Sequence, residues 1–332
     1  NLEHSTRAIN AYLDYAKHPS AAVVLPLHYS YALLSQLFCM LRVGGYTRLF
    51  GSFRNPLKFA KSVNELGLAS FCGVPSTYQA LCLLRGMTEF AMPEVKIICS
   101  AGAAMDRSLL PQIRTIFPSA RFFDNYGMTE ATPRVTYIED SDPNFAQPTC
   151  GRAIDGVELR ILDEQSLKPL PDGQSGIVGL RGANVFSGYL NDPEETRRAF
   201  SPDGYLLAAD LGELRDGYLF IAGRRDEIFN VGGEKVSPLE IERALNAHPG
   251  IEVAGVSSLI DGPRGRVAVA YLRLASPLTR RDLNAFLADR LPPGKIPARY
   301  FVVKEMPMTG NGKLQRNRLL PDNASLGIRD LD

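Results

Sequence analysis

The sequence lacks an excess of either charge: 37 Lys+Arg against 36 Asp+Glu leave a net +1 over 332 residues. A near-neutral balance gives no reason for a polyanionic partner, which excludes nucleic acid as a principal ligand. Long coiled coils, collagen-like repeats and low-complexity tails are missing too, because 29 Gly and 23 Pro are spread along a chain that is 45% hydrophobic. No internal repeat is visible. The five cysteines (Cys39, Cys72, Cys82, Cys99, Cys150) form no C-x-x-C pair and sit mostly in apolar runs, so reduced, buried thiols and a cytoplasmic location are expected, without sulfur-bound metal. The longest apolar stretch, Ala21 to Val43, is interrupted by Pro26, His28, Gln36 and Arg42, which no membrane span would tolerate. The first residues have neither the basic nor the apolar region of a signal peptide, and there is no initiator methionine. The chain is expected to begin within a domain.

Up to Gly127 the sequence alternates short apolar runs with helical patterns. Val23-Val24-Leu25 precedes a helix near Tyr31–Leu41, Leu68–Cys72 one near Ser76–Leu84, and Val95–Cys99 one near Arg107–Phe117. In the last, Leu109, Leu110, Ile113, Ile116 and Phe117 share a face, Asp106 stands at the cap and Pro118 follows the end. With a further strand at Arg121-Phe122-Phe123, this grammar predicts parallel strands joined by crossover helices. Ligands of such sheets bind beyond the carboxyl ends of the strands. The loops there are Pro26-Leu27-His28, Gly73-Val74-Pro75, Ser100-Ala101-Gly102-Ala103 and Asp124 to Glu130, which points to one cleft.

After Cys150 the runs Val157–Leu162, Ile177–Arg181 and Tyr218–Ile221, with turn signals at Asp172-Gly173, Asp203-Gly204 and Asp216-Gly217, predict an antiparallel β subdomain. From Asp226 the pattern becomes mixed. Ser237-Pro238-Leu239-Glu240 reads as a capping box, with Ile241, Ala244, Leu245 and His248 on one face. Strands are expected near Val253–Ser257, Val267–Leu272 and Tyr300–Val303, and a Thr279-capped helix with Leu283, Phe286, Leu287 and Leu291 inside. The fold class is thus α/β. The expected organisation is a parallel part over residues 1–150, an antiparallel subdomain over 151–225, and a small α+β domain over 226–332.

Four ordered motifs carry a resemblance. Asn125-Tyr126-Gly127-Met128-Thr129-Glu130, then Gly182 with Gly188-Tyr189-Leu190, then Asp210 with Gly223-Arg224-Arg225-Asp226, and finally Pro307-Met308-Thr309-Gly310-Asn311-Gly312-Lys313 resemble the acyl-adenylate-forming superfamily, which includes acyl- and aryl-CoA synthetases, peptide-synthetase adenylation domains and beetle luciferases. The resemblance implies a large adenylating domain followed by a small mobile lid that rotates about a hinge at Asp226. It also implies a two-step reaction, in which a carboxylate attacks the α-phosphate of ATP and a thiol then displaces AMP. ATP and Mg²⁺, with CoA or phosphopantetheine as thiol acceptor, are the implied cofactors. A small carboxylic acid and CoA or a carrier protein are the implied partners.

By that resemblance Tyr126 stacks on adenine, Thr129 donates to the α-phosphate, and Glu130 holds Mg²⁺, a hard cation that takes carboxylate and phosphate oxygens. Asn125, Gly127, Gly102 and Ala103 line the nucleotide, Gly127 also facing the acid. Asp210 would accept the ribose diol beside Arg224, although Ala208-Ala209-Asp210 replaces the usual T-G-D; a surface turn aspartate is the competing reading. Lys313 corresponds to the catalytic lysine, whose charge would stabilise adenylation by about a hundred- to a thousandfold. Its Gly-Lys string is no Walker loop, since Pro307 and Leu314 stand where Gly and Ser/Thr belong. Gly232 and Gly233 lie where the lid would meet the thiol substrate, but equally suit an ordinary hairpin. His28 matches an acid-pocket histidine of CoA ligases and favours an acyl or aryl acid, against a core histidine. The superfamily's Ser/Thr/Gly-rich phosphate loop is not found in these residues. Its expected place is just before Asn1, so a portion of a longer enzyme is expected, with strands that would cover the present sheet missing. A carrier-loading adenylation enzyme and a non-catalytic nucleotide or acyl-AMP binder are the alternatives.

Overall fold

The computed structural model describes residues 1–51, 53, 55–262, 265–309 and 313–331. The chain divides into two units, one of Asn1–Ala208 with Gly212–Ile221, the other of Ala209–Leu211 with the chain from Ala222 onward.

The first unit is built on a seven-stranded sheet: β1 (Ser20–Val23), β2 (Tyr46–Leu49), β3 (Ser70–Gly73), β4 (Ile97–Ser100), β5 (Arg121–Tyr126), β6 (Thr136–Glu139) and β7 (Arg152–Ala153), in the order β2-β1-β3-β4-β5-β6-β7. The first five are parallel, and β6 and β7 run antiparallel at one side. Alternate residues feed two cores, as a pleated strand buried on both faces must. Ala22, Phe71, Ile98 and Phe122 pack with Phe59, Tyr78, Leu81 and Ile113 from helices Pro56–Glu65, Pro75–Met87 and Leu110–Ile116. Ala21, Cys72, Ile97, Cys99 and Phe123 pack with Ile9, Leu13, Cys39 and Met40 from helix Leu2–Leu13 and the helical segment 30–42. The strand order reverses between β1 and β3, the point at which doubly wound sheets open a ligand crevice.

Most expected elements are present with shifted ends. The first strand stops at Val23, ahead of Val24 and Leu25, because Pro26 follows and offers no N–H to the ladder. The segment 30–42 contains a π-helical turn, Leu33–Phe38. Three elements carry too weak a pattern to be foreseen: helix Leu2–Leu13, the exposed edge strand β2, and helix Pro56–Glu65, whose start is Asn55 accepting from the Lys58 amide.

A four-stranded sheet follows, β8 (Val157–Leu162), β9 (Gly176–Gly182), β10 (Leu206–Arg215) and β11 (Tyr218–Arg224), ordered β11-β10-β9-β8. Asp216-Gly217 separates β10 from β11, and Asp203-Gly204 closes the Phe200–Leu206 bridge.

In the second unit β12 (Phe229–Val231) pairs with β13 (Glu234–Val236), and β14 (Ile251–Ile260), β15 (Arg266–Leu274), β16 (Arg299–Val302) and β17 (Arg329–Asp330) form a sheet in that order. Helices Pro238–Asn246 and Arg280–Ala288 cover it with Ile241, Leu245, Leu283 and Leu287, all fully buried. Thr279 and Asp282 cap each other reciprocally. The box expected at Ser237 is only half formed: its hydroxyl accepts from the Glu240 amide, but the Glu240 carboxylate accepts two bonds from Lys295, at 2.9 and 2.7 Å. A charged donor competes better for a carboxylate than a backbone amide does.

Candidate active site

The carboxyl ends of β1, β3, β4 and β5 lie on one edge of the sheet because these strands are parallel. The loop after β5 is held by its own backbone and by residues from outside. Gly127 is packed against its own return: a Cβ there would be driven into the Pro133 carbonyl oxygen and come to 3.0 Å from Cα of Arg134. A 3₁₀ turn, Thr129–Ala131, follows, then Thr132 in a left-handed conformation with φ 50°. The Val135 amide returns to the Tyr126 carbonyl at 2.9 Å. From outside, buried Asn184 donates its amide to the carbonyls of Ala131 and Arg134, both at 3.0 Å, and the Phe186 amide donates to the Glu130 carbonyl at 2.8 Å. Thr129 and Glu130 are therefore held on a turn fixed from both sides.

Their side chains are positioned as well. The Thr129 hydroxyl lies 3.1 Å from that of Ser30, at the start of the helical segment after β1. Oε1 of Glu130 accepts from the Tyr189 phenol at 3.0 Å. Burial and that hydrogen bond push Tyr189 up to about 12, so it remains a neutral donor. Asn125 is buried and internally engaged. It donates to the Ser100 and Phe123 carbonyls and accepts from Tyr12, so it ties β5 to β4 and sets the exit of Tyr126. Gly102 (φ 92°) and Ala103 are exposed just beyond β4. His28 is exposed beyond β1, its ring 4.3 Å from that of Tyr29; it is not a core histidine.

The second unit brings Asp210, Arg224 and Asp226 together. Asp210 is half-buried on β10, and the Arg225 amide donates to the Ala209 carbonyl at 2.7 Å. Arg224 forks onto Asp226 with bonds of 2.9 and 3.0 Å, which hold the Asp226 carboxyl below its usual range. Ala208 is buried while Ala209 is exposed, so the first departure from T-G-D changes the interior and the second adds a methyl at the surface. Lys313 is exposed at the end of a loop whose ends are tied by Thr309 N–H to Lys313 O at 2.7 Å and Lys313 N–H to the Thr309 hydroxyl at 3.0 Å. Gly310, Asn311 and Gly312 of that motif lie outside the described residues. Arg316 anchors the base of the loop, donating to Glu227 and to buried Glu242, each at 2.6 Å. Gly232 and Gly233 (φ 57° and 91°) form the two-residue turn between Val231 and Glu234. Two positive φ angles define a type I′ hairpin turn, a conformation that glycine adopts without strain.

Several contributors lay beyond the sequence reading. Arg107 donates to Asp124 at 3.3 Å, to the Thr149 carbonyl at 2.7 Å and to the carbonyls of Phe145 and Gln147, pinning the segment 145–149 against β5. Burial pushes Asp124 up to about 6, with Arg107 opposing. Arg134 is 1% exposed and reaches across the sheet edge to the Tyr31 ring, 4.7 Å from its centroid. Its only signal in the sequence is one cation inside Pro133-Arg134-Val135-Thr136. Among the described residues no group of three or more His, Cys, Asp or Glu is placed to hold a metal, and no helix is long and apolar enough to cross a membrane.

A parallel sheet with a strand-order reversal between β1 and β3, a fixed Tyr-Gly-Met-Thr-Glu segment at the end of β5 and a separate α+β unit place the chain among two-domain α/β proteins. The chain belongs to the AMP-binding enzyme family: that family's profile matches residues 1–190, and the profile of the AMP-binding enzyme C-terminal domain matches residues 240–313. It is 31% identical over 302 residues to 4-coumarate–CoA ligase 2 of Nicotiana tabacum, covering 89% of this chain and 56% of the relative. It is 30% identical over 301 residues to 4-coumarate–CoA ligase of Pinus taeda, with 89% and 56% covered. The chain thus spans just over half the length of these curated relatives. Among solved structures, o-succinylbenzoate CoA synthetase of Bacillus subtilis in complex with its acyl-adenylate intermediate superposes with a TM-score of 0.85 at 26% identity, over 100% of this chain and 65% of that one. ATP-bound MatB of Rhodopseudomonas palustris gives 0.83 at 25% identity, over 96% and 63%.

Proposed function

We propose that the protein carrying this chain activates a carboxylic acid with ATP as an acyl-adenylate and transfers the acyl group to the thiol of CoA. The observation that carries this reading is the segment Tyr126–Glu130, which holds an aromatic ring at the end of β5 and a hydroxyl and a carboxylate on the turn just after it. Tyr126 offers a face to adenine, and Thr129, oriented by Ser30, offers a hydroxyl donor to the α-phosphate. Glu130 fits Mg²⁺ because that ion takes one or two carboxylates together with phosphate oxygens and needs no all-protein cage. When bound, the ion would supply charge neutralisation at the phosphates. Asp210 takes the ribose hydroxyls, Gly102 and Ala103 line the nucleotide, His28 and Gly127 border the acid, and Gly232-Gly233 approaches the thiol. Lys313 stabilises the charge that builds on the carboxylate and α-phosphate oxygens. The residues from Asp226 onward act as a lid that turns about Asp226 between the two steps. The five thiols, none in a disulfide, suit a cytoplasmic protein.

Acid-dependent ATP–pyrophosphate exchange tests the first step. Lys313→Ala is expected to lower it at least about a hundredfold; unchanged exchange would remove Lys313 from the chemistry. Presenting CoA against a phosphopantetheinylated carrier protein decides between the CoA ligase and a carrier-loading enzyme. One observation favours a second reading, a non-catalytic binder: Ala208 places a methyl in the interior at the position of the usual threonine. Binding of an acyl-AMP analogue with no turnover of any acid would support it.

A further inference from the structure

Arg134 is the largest fully buried side chain among the described residues, and its Nε, Nη1 and Nη2 have no hydrogen-bond partner. A guanidinium presents five donors and cannot shed its proton. Taking such a charge out of water without a counter-ion is strongly unfavourable, so a buried arginine is expected to have an anion to meet. The groups around it supply little. Burial pushes the phenols of Tyr12 and Tyr31 far above their usual range, and it raises Cys39 and Cys99 as well, so all four are neutral. Asp124 feels Arg134 but is itself shifted towards its neutral form by burial and makes its ion pair with Arg107. Burial raises the Cys72 thiol, but a hydrogen bond with Cys99 and the charge of Arg134 outweigh that and lower it; Cys72 makes no hydrogen bond with the guanidinium, whose donors stay unmet.

The position of Arg134 turns this unmet charge into a site. Its backbone adjoins Gly127, its guanidinium lies over the Tyr31 ring, and Tyr31 donates to the carbonyls of Gly73 and Cys99, the ends of β3 and β4. The charge thus stands at the carboxyl ends of the strands beside the order reversal, behind the turn that carries Thr129 and Glu130.

We infer that Arg134 is a specificity-determining residue that receives a second carboxylate of the acid substrate, so that the substrate class is dicarboxylic acids. This rests on the acid-activating reading above. One carboxylate is activated at the nucleotide, and the other accepts the planar two-pronged donor set that a guanidinium offers a carboxylate. Selectivity follows from the site's own cost: a monoacid with an apolar end leaves the buried guanidinium unmatched, and sites with buried polar groups strongly reject ligands that fail to pair them.

The test uses the natural full-length protein and pairs each diacid with a monoacid of equal length: succinate with butyrate, glutarate with valerate, adipate with hexanoate, terephthalate with 4-methylbenzoate. Exchange and the thermal midpoint without ATP are both read. The wild type is expected to favour the diacid of at least one pair by about tenfold or more in kcat/KM and to show a rise in thermal midpoint with that diacid alone. Arg134→Leu, which replaces a buried unpaired charge by an apolar group and threatens folding little, is expected to reverse the preference and abolish the rise, and Arg134→Lys to keep part of both. Exchange that favours monoacids throughout and is unaltered in ratio by Arg134→Leu would overturn the inference while leaving acid activation intact. Exchange with no acid at all, with a diacid-dependent rise present only when Arg134 is, would remove the acid-activating reading and keep the anion site. Neither exchange nor any rise would overturn both.

Discussion

The phenol of Tyr189 donates to Oε1 of Glu130 across 3.0 Å, joining two motifs that lie 59 residues apart in the chain. Gly188-Tyr189 therefore orients the carboxylate proposed to hold Mg²⁺. Removing the donor in Tyr189→Phe forfeits one hydrogen bond to a charged group, worth about 1.5–3 kcal/mol. The Mg²⁺ concentration for half-maximal exchange is expected to rise about tenfold, with the ATP requirement little altered. An unchanged Mg²⁺ dependence would mean that the contact does not position Glu130.

Gly127→Ala tests the rigidity of the turn. The added methyl meets backbone, the carbonyl of Pro133, which cannot swing aside as a flexible side chain could. Overpacking of this kind costs about 1–3 kcal/mol. A displaced Thr129 and Glu130 should also cost about a hundredfold in exchange. Urea unfolding and exchange measured on one preparation separate the two effects. A variant with wild-type stability and exchange would show that the loop has room the structure denies.

Arg224 is held by Asp226 through both prongs of its guanidinium. The pair is substantially exposed, so its worth to stability is small. Its worth to motion is the point: the residue proposed as hinge fixes the conformation of a residue proposed to meet the nucleotide. Asp226→Ala is expected to leave acid-dependent exchange within about threefold of wild type and to slow thioester formation about tenfold, since hinge changes act on conformational steps. Equal loss in both steps would count against a hinge at this position.

The doubly wound part was legible because its strands are buried on both faces and read as short apolar runs between helices with clear caps, such as Asp106 and its Ser108 amide. β2 was not, because Tyr46, Arg48 and Leu49 are all exposed at an edge. The site residues were legible where a motif keeps them contiguous, as in Tyr126 to Glu130. The residues that hold this string in place were not. Asn184 acts through carbonyls of Ala131 and Arg134, and Arg107 through carbonyls of Phe145, Gln147 and Thr149. Carbonyl acceptors exist at every residue, so long-range side-chain-to-backbone bonds leave no local pattern. Arg134 stayed hidden for the opposite reason: a lone cation near a loop ordinarily faces water, and only the fold reveals that this one is enclosed.

Asp124 gives the stability of the first unit a pH dependence with a definite sign. Its folded-state pKa is raised to about 6, chiefly by burial, from an ordinary 3.8. Between those values the folded protein binds the proton more tightly than the unfolded chain. Stability from this group is therefore fully present below about 4 and is lost as pH rises through about 6. A rise of that size corresponds to about 2–3 kcal/mol. Asp124→Asn removes the ionisation but keeps an acceptor for Arg107. Wild type minus variant stability, from urea unfolding at closely spaced pH values from about 4 to about 7, is expected to fall by that amount and then level off. A flat difference would show that Asp124 titrates alike in both states, and that Arg107 offsets its burial in full.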